Sequence, residues 1–321
     1  MRIKQNSLNW KSILPKGFKL MQKNWLLFSI TFLLILAGFA GCGVITTKLV
    51  KRADHNAPRN PETGYLIGAE EQDLGGVDSS CGVLLVHGFI GGGNNFADLP
   101  ERLAQRGWHV RVMRLPGHGT SPLDFEKQTP DELIQAVRNE ISRMKEKHNT
   151  VAVVGHSMGC ALSAIAVSEN SVDKLVLAAP YFAITYRWPL VLKVETWTTM
   201  LQPLIRWVYK GKHFMQVNRK ESRDKIFSYA WVPTKGAKTL IRIGNQAKQE
   251  DVLANIKCPV LMIHAHGDKA ASPKAAQSAY NKIASKEKQF IWLERSNHQI
   301  FWDHEQEEVM KAIETFLGKP E

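Results

Sequence analysis

Cysteine is scarce and scattered: 321 residues hold four, Cys42, Cys81, Cys160 and Cys258. No CxxC pair occurs and none of the four has a neighbouring histidine, so a zinc site and a disulfide framework both lack the spacing they need. Cys160 follows a tight turn and Cys258 precedes an apolar run, positions that suit small core residues. The glycine cluster Gly91-Gly92-Gly93 is followed by no GK[ST] and no GxGxxG occurs, which removes phosphate-loop and dinucleotide readings. Acid is absent from the first 24 positions, where Arg2, Lys4, Lys11, Lys16, Lys19 and Lys23 supply half of the formal +12 charge. The remaining charge is dispersed, without an RNA-binding signature or zinc-finger spacing, so no nucleic-acid partner is expected. A basic surface facing anionic lipid accounts better for the balance. Apolar residues are not lacking: at 44% hydrophobic, the chain can bury a core without metal or disulfide staples.

One long apolar run stands out. From Trp25 to Ile45 no charge interrupts WLLFSITFLLILAGFAGCGVI, and about 20 helical residues cross a hydrocarbon layer of about 30 Å. The run lacks a polar face, so a transmembrane or signal segment in contact with membrane lipid is expected. Three fates are open to it: a retained anchor, a cleaved signal peptide, or cleavage before a lipid-modified Cys42, since Phe39-Ala40-Gly41-Cys42 resembles a lipobox. Cations before the run outnumber Lys48, Lys51 and Arg52 just after it, which puts the N-terminus in the cytoplasm and the body outside. The chain therefore divides into a basic region (1–24), the apolar segment (25–45) and a linker leading into the core (46–80). A core (81–180 and 256–321) follows, interrupted by an insertion (181–255).

Beyond Ser80, short apolar runs alternate with amphipathic ones, the pattern of a mostly parallel sheet flanked by helices. Strands are expected at Gly82–Val86, His109–Arg114, Thr150–Val154, Lys174–Ala178, Val260–His264 and Lys288–Leu293, each apolar enough to be covered on both faces. Thr129-Pro-Asp-Glu132 forms a capping box, with Leu133, Val137, Ile141 and Met144 on one helical stripe. Another helix starts at Ser272-Pro273, and a last one runs from about Glu305 to Leu317 and stops at Gly318. The insertion, roughly 75 residues long, exceeds any ordinary crossover. Rich in Trp, Tyr, Phe, Lys and Arg, it reads as a helical lid.

Chemistry concentrates at Gly155-His156-Ser157-Met158-Gly159. This pentapeptide follows the strand TVAVV and opens the run CALSAIAV, so the chain turns sharply from strand to helix and projects Ser157 above the sheet. A serine hydroxyl needs a base, and the base an orienting acid. Asp268 follows the strand ending at His264, and His298 follows the strand ending at Leu293, so both lie past strand C-termini, where open α/β sheets bind ligands. His264 and His266 sit at a strand end and its turn and read as structural. His304 and Asp303 belong to the start of the final helix, with Asp303 as its cap, and Asp251 lies in the insertion. Two N–H donors are required for an oxyanion: Met158, at the positive end of a helix, and Phe89, in the loop His87-Gly88-Phe89.

The segments LLVHGF, RLPGHGTSP, VVGHSMG, PVLMIHAHGD and ERSNH resemble those of α/β-hydrolase serine esterases and lipases, most closely the bacterial carboxylesterase and monoacylglycerol-lipase group. The resemblance covers Gly82 to Leu317. It implies Ser157 as nucleophile, Asp268 as acid, His298 as base, Phe89 and Met158 as the oxyanion hole, and His118 as a structural loop residue. Asn297 stands where the family commonly has glycine. The implied reaction is acyl transfer from a small-molecule acyl ester to water, without cofactor or metal, by a carboxylesterase or a monoacylglycerol lipase/lysophospholipase; the aromatic and basic insertion points to a monoacyl amphiphile such as a monoglyceride or lysophospholipid. Thioesterases and acyltransferases share the scaffold, and a membrane-anchored binding protein that kept the fold is the non-enzymatic alternative.

Overall fold

The structure, a computed structural model, describes residues 16–185, 196, 204–211 and 215–320. Within the first helix the side chains of 16–24, 26–27, 30, 32–37 and 39–40 are outside that set. Also outside it are Arg2, Lys4 and Lys11, and the insertion residues Tyr186, Arg187, Trp188, Lys193, Trp197, Lys212 and Phe214.

Helix α1 (Lys16–His55) carries the apolar run and continues ten residues beyond Ile45. Among the described residues no helix is long and apolar enough to cross a membrane. The last turns of α1 pack on the body: Val50 is buried, Trp207 Nε1–H donates to Thr47 Oγ1 at 3.0 Å, and Asp54 pairs with Arg59 at 2.8 Å. The segment read as linker is thus helical at its start. Further along it contributes β1 (Gln72–Leu74), which pairs antiparallel with an edge of the sheet.

The core then follows the expected alternation. It runs β2 (Cys81–Val86), α2 (Leu99–Gln105), β3 (His109–Met113), α3 (Pro122–Phe125), α4 (Pro130–Lys147), β4 (Thr150–His156), α5 (Met158–Glu169) and β5 (Lys174–Ala178). The described part of the insertion holds a two-stranded antiparallel ribbon, β6 (Trp207–Tyr209) with β7 (Trp231–Pro233), then α6 (Thr234–Ala247) and α7 (Glu250–Ala254). It is therefore only partly helical. The core resumes with β8 (Val260–Ala265), α8 (Pro273–Lys282), β9 (Lys288–Leu293) and α9 (Gln306–Leu317).

Sheet order is β1-β3-β2-β4-β5-β8-β9, with every pairing parallel except that of β1. Central strands β2 and β8 are buried along their whole length, which calls for apolar sequence, interrupted in β8 only by the buried His264 near its C-terminal end. Helix α4 begins with the expected capping box: Glu132 accepts from Thr129 N–H at 2.8 Å while Thr129 Oγ1 accepts from Glu132 N–H at 3.3 Å. Its Leu133, Val137, Ile141 and Met144 are buried against the sheet. Two apolar clusters, one on each face, sandwich the sheet, and the C-terminal ends of β4, β8 and β9 share one edge.

Candidate active site

Between β4 and α5, Ser157 is held at φ 55°, a left-handed conformation rare for a residue with a Cβ. Strain of this kind persists only where the surroundings impose it. Two glycines do so by close approach: a Cβ on Gly159 would stand 1.9 Å from the Val86 carbonyl oxygen, and one on Gly155 would stand 2.7 Å from Cys160 backbone. Ser157 N–H donates to Ala178 O at 3.1 Å, locking the turn to β5. The Cys160 thiol is buried, donates to carbonyls and is held well above its ordinary pKa by burial, so it is inert core.

Three side chains from separate loops meet here. His298 Nε2 lies 2.8 Å from Ser157 Oγ, and His298 Nδ1 lies 2.8 Å from Asp268 Oδ2. A carboxylate only accepts, so Nδ1 carries the proton and Nε2 is left to accept from the hydroxyl. The other oxygen of Asp268 accepts from Ala270 and Ala271 N–H at 2.7 and 2.8 Å. Burial by itself would raise this carboxyl; His298 beside it and these hydrogen bonds outweigh burial and hold it below the ordinary carboxylate range.

Met158 opens α5, where the helix leaves its first N–H groups without internal partners. Phe89 follows Gly88, whose backbone passes so near that a Cβ there would be 3.0 Å from Ser157 Cβ. Both expected donors thus flank the serine. Two buried imidazoles brace the Phe89 loop. His87 Nε2 accepts from Leu115 N–H at 3.1 Å and its Nδ1 faces Gly88 O at 2.9 Å. His118 Nε2 accepts from Ile90 N–H at 3.2 Å. Burial, the main cause in each, brings His87 down to about 4 and His118 well below its ordinary value, so both stay neutral and able to accept. His118 is therefore a structural residue with a specific task.

The competing residues are accounted for. His264 is buried 3.4 Å from Asp268 Oδ2 and brought down by burial to about 4. His266 is stacked on Trp292 and largely exposed. Asp251 lies in the first turn of α7, and His304 is exposed.

Asp303 departs from expectation. It does not cap α9, whose N-cap is Glu305 without a side-chain cap bond. Fully buried, it accepts from four backbone N–H groups: Asn218 and Asn297 on Oδ2, Arg219 and His304 on Oδ1, at 2.8–2.9 Å. Glu305 likewise gathers the N–H groups of Glu294, Arg295 and Ser296 and the Ser296 hydroxyl. Asn297 completes the clamp, its Oδ1 accepting from Lys269 N–H at 3.0 Å and His298 N–H at 2.9 Å, its Nδ2 donating to Asn218 at 3.2 Å. The loop carrying the base is thus tied to the acid loop and to the insertion. Sequence reasoning missed this; the only available signal was two acids, Asp303 and Glu305, soon after a histidine.

The chain can now be set beside known proteins. A family profile described as Hydrolase_4, serine aminopeptidase S33, matches residues 79–306. A thermostable monoacylglycerol lipase of Bacillus sp. (strain H-257) is 28% identical over 238 residues, 74% of this chain and 90% of that protein. A carboxylesterase of Bacillus subtilis (strain 168) is 24% identical over 246 residues, 74% of this chain and 92% of that one. Among solved structures, one from a study of the metagenome-derived lipolytic enzymes LipS and LipT superposes with a TM-score of 0.70 at 26% identity, covering 79% of this chain and 98% of its own.

Proposed function

This chain belongs to the Hydrolase_4 family, an α/β-hydrolase, and from that premise we propose that it cleaves carboxylic esters through an acyl-enzyme formed on Ser157. The observation that carries the reading is the unbroken line from Ser157 Oγ through His298 to Asp268, 2.8 Å at each step. Ser157 Oγ attacks the ester carbonyl carbon while His298 Nε2 takes its proton. The negative oxygen of the tetrahedral intermediate is stabilised by the N–H groups of Phe89 and Met158, each such donor being worth about 100- to 1,000-fold in rate. Collapse expels the alcohol with a proton from His298. Water then attacks the acyl group, gives its proton to His298, and the acid leaves as Ser157 is restored. Asp268 holds the imidazole orientation and offsets the charge it gains. No step calls for a cofactor.

A fluorophosphonate probe labels the wild-type serine, and Ser157→Ala abolishes labelling and lowers ester hydrolysis by at least about a thousandfold. Failure of the wild type to label would leave the ligand-binding alternative standing. For substrate we favour a monoacyl amphiphile. Buried Tyr181 and Phe182 and the apolar ribbon residue Val208 near the site support it. Hydrolysis measured across acyl lengths, with an acyl thioester included, tests this; a preference for acetyl esters or for the thioester defeats it.

We also infer that the run from Trp25 to Ile45 holds the protein to a membrane, with the catalytic body on the extracytoplasmic side. Its composition and the cations preceding it support the reading, as does the docking of Thr47 and Val50, which joins α1 to the body. Recovery of the full chain with membranes, resistant to alkaline carbonate and released by detergent, is expected; recovery in the soluble fraction refutes it. Lipid labelling lost in Cys42→Ser separates lipid attachment from a retained helix.

A further inference from the structure

Beside the outer edge of His298 lies a cavity of about 430 Å³. Val208, Val232, Ala237 and Ala270 supply apolar walls, and two lysines, Lys210 and Lys269, also line it. Lys210 follows β6 directly, and its backbone N–H donates to Ala230 O at 2.8 Å, which fixes where the side chain starts. The residue is half-buried, and burial brings its ammonium down to about 8, with no carboxylate among the described residues to oppose the shift. No acid is among the described residues that line the cavity, and the acids of the neighbouring loops have partners of their own: Asp268 holds His298 and Asp303 takes four backbone N–H groups. A desolvated cation without a counter-charge is costly unless a ligand brings the anion. A second unsatisfied group lies next to the base, since Gln299 lines the same cavity and its buried Oε1 has no donor among the described residues. One missing anion and one missing hydroxyl donor sit within a single apolar cleft.

We propose that this cavity takes the head group of the substrate, and that Lys210, assisted by Lys269, selects a phosphate-bearing monoacyl glycerolipid over an uncharged monoacylglycerol. The inference rests on the ester-hydrolase reading above and adds the charge of the substrate to it. The phosphate oxygens pair with the ammonium groups, a glycerol hydroxyl donates to Gln299 Oε1, and the ester carbonyl is left to reach Ser157. Lys269 is exposed, with a long side chain free to turn towards the head group, whereas its backbone is pinned by Asn297.

The test is the ratio of kcat/KM for lysophosphatidylglycerol over monoacylglycerol of the same acyl chain, in micelles of neutral detergent. The wild type favours the anionic lipid. Lys210→Met lowers the ratio about tenfold to a hundredfold, as loss of a charge-assisted hydrogen bond implies, chiefly through KM, and Lys210→Arg restores most of it. No anionic preference in the wild type, or an equal loss on both lipids in Lys210→Met, overturns the proposal. If the methionine variant does not fold, raised ionic strength supplies the same readout on the wild type: the anionic preference shrinks, and a ratio indifferent to salt overturns the proposal. Fluorophosphonate labelling separates the two levels. An unlabelled wild type defeats the ester-hydrolase reading itself, and a labelled one without head-group preference defeats only this inference.

Discussion

Replacing Asp303 by asparagine tests whether the base is held in place by the clamp beneath it. The perturbation is small in volume but removes a charge from four N–H donors. Each carboxylate oxygen serves one pair, Asn218 with Asn297 or Arg219 with His304, and an amide keeps only one acceptor. Whichever way it turns, two N–H groups that met a carboxylate oxygen face an NH2. At about 1.5–3 kcal/mol for each hydrogen bond to a charged group, the loss is about 3–6 kcal/mol, a large share of the roughly 5–15 kcal/mol that holds a domain folded. Part of the strain falls on the His298 loop. That loop leaves β9 and reaches back past β8 and β5 to a serine on β4, three strand spacings or roughly 14 Å. A misplacement near 1 Å costs on the order of 100-fold in rate. The expected outcome is a lower urea midpoint with unchanged slope, kcat reduced by about 10- to 100-fold, and KM nearly constant, because Asp303 does not face the cavity. Urea titration followed by circular dichroism and steady-state kinetics on a water-soluble ester read both quantities. A midpoint within about 0.5 kcal/mol of wild type together with kcat within about twofold would refute the reasoning.

Gly159→Ala is expected to cost at least about 2 kcal/mol and most of the activity, since its Cβ collides with a strand carbonyl that cannot move; thermal unfolding near the wild-type temperature argues against that packing. Acid should destabilise the fold through buried histidines. His87, His156 and His264 are brought by burial to about 4, about 3 and about 4, against about 6.5 in the unfolded chain. Above pH about 6.5 they add no penalty; as pH falls towards 4 the unfolded chain takes protons the fold refuses, and at pH 5 each costs about 2 kcal/mol. Equal denaturant midpoints at pH 7.5 and pH 5 contradict this. Removing residues 1–45 keeps the docked turn from Thr47 to His55 and should preserve hydrolysis of a soluble ester while abolishing membrane recovery; loss of soluble-ester activity indicates that the apolar helix also supports the fold.

Much of this molecule was legible in the chain because its signals are local. The run Lys174–Ala178 coincides with an observed strand, since being covered on both faces demands apolar sequence; Lys288–Leu293 is a strand too, but it ends the sheet with only Leu293 buried, so the expectation of cover on both faces fails there. The Thr129–Glu132 box reads from four consecutive residues and forms as read. Strand β1 escaped notice: three residues on a sheet edge, partly exposed, carry too little pattern. The β6–β7 ribbon escaped as well, since each strand has three residues and their pairing spans a long stretch of sequence.

The sequence by itself determined which side chains could carry the chemistry. A serine between glycines at a strand-to-helix turn, an acid after one strand and a histidine after another are each set by covalent neighbours and short-range sterics. Only the tertiary structure decided that they meet, and what holds them. The order in which strands assemble sets how far the His298 loop must travel, and the clamp of Asn297, Asp303 and Glu305 joins residues up to 85 positions apart. Hydrogen bonds of that kind depend on separations in space, which no local pattern of residues records.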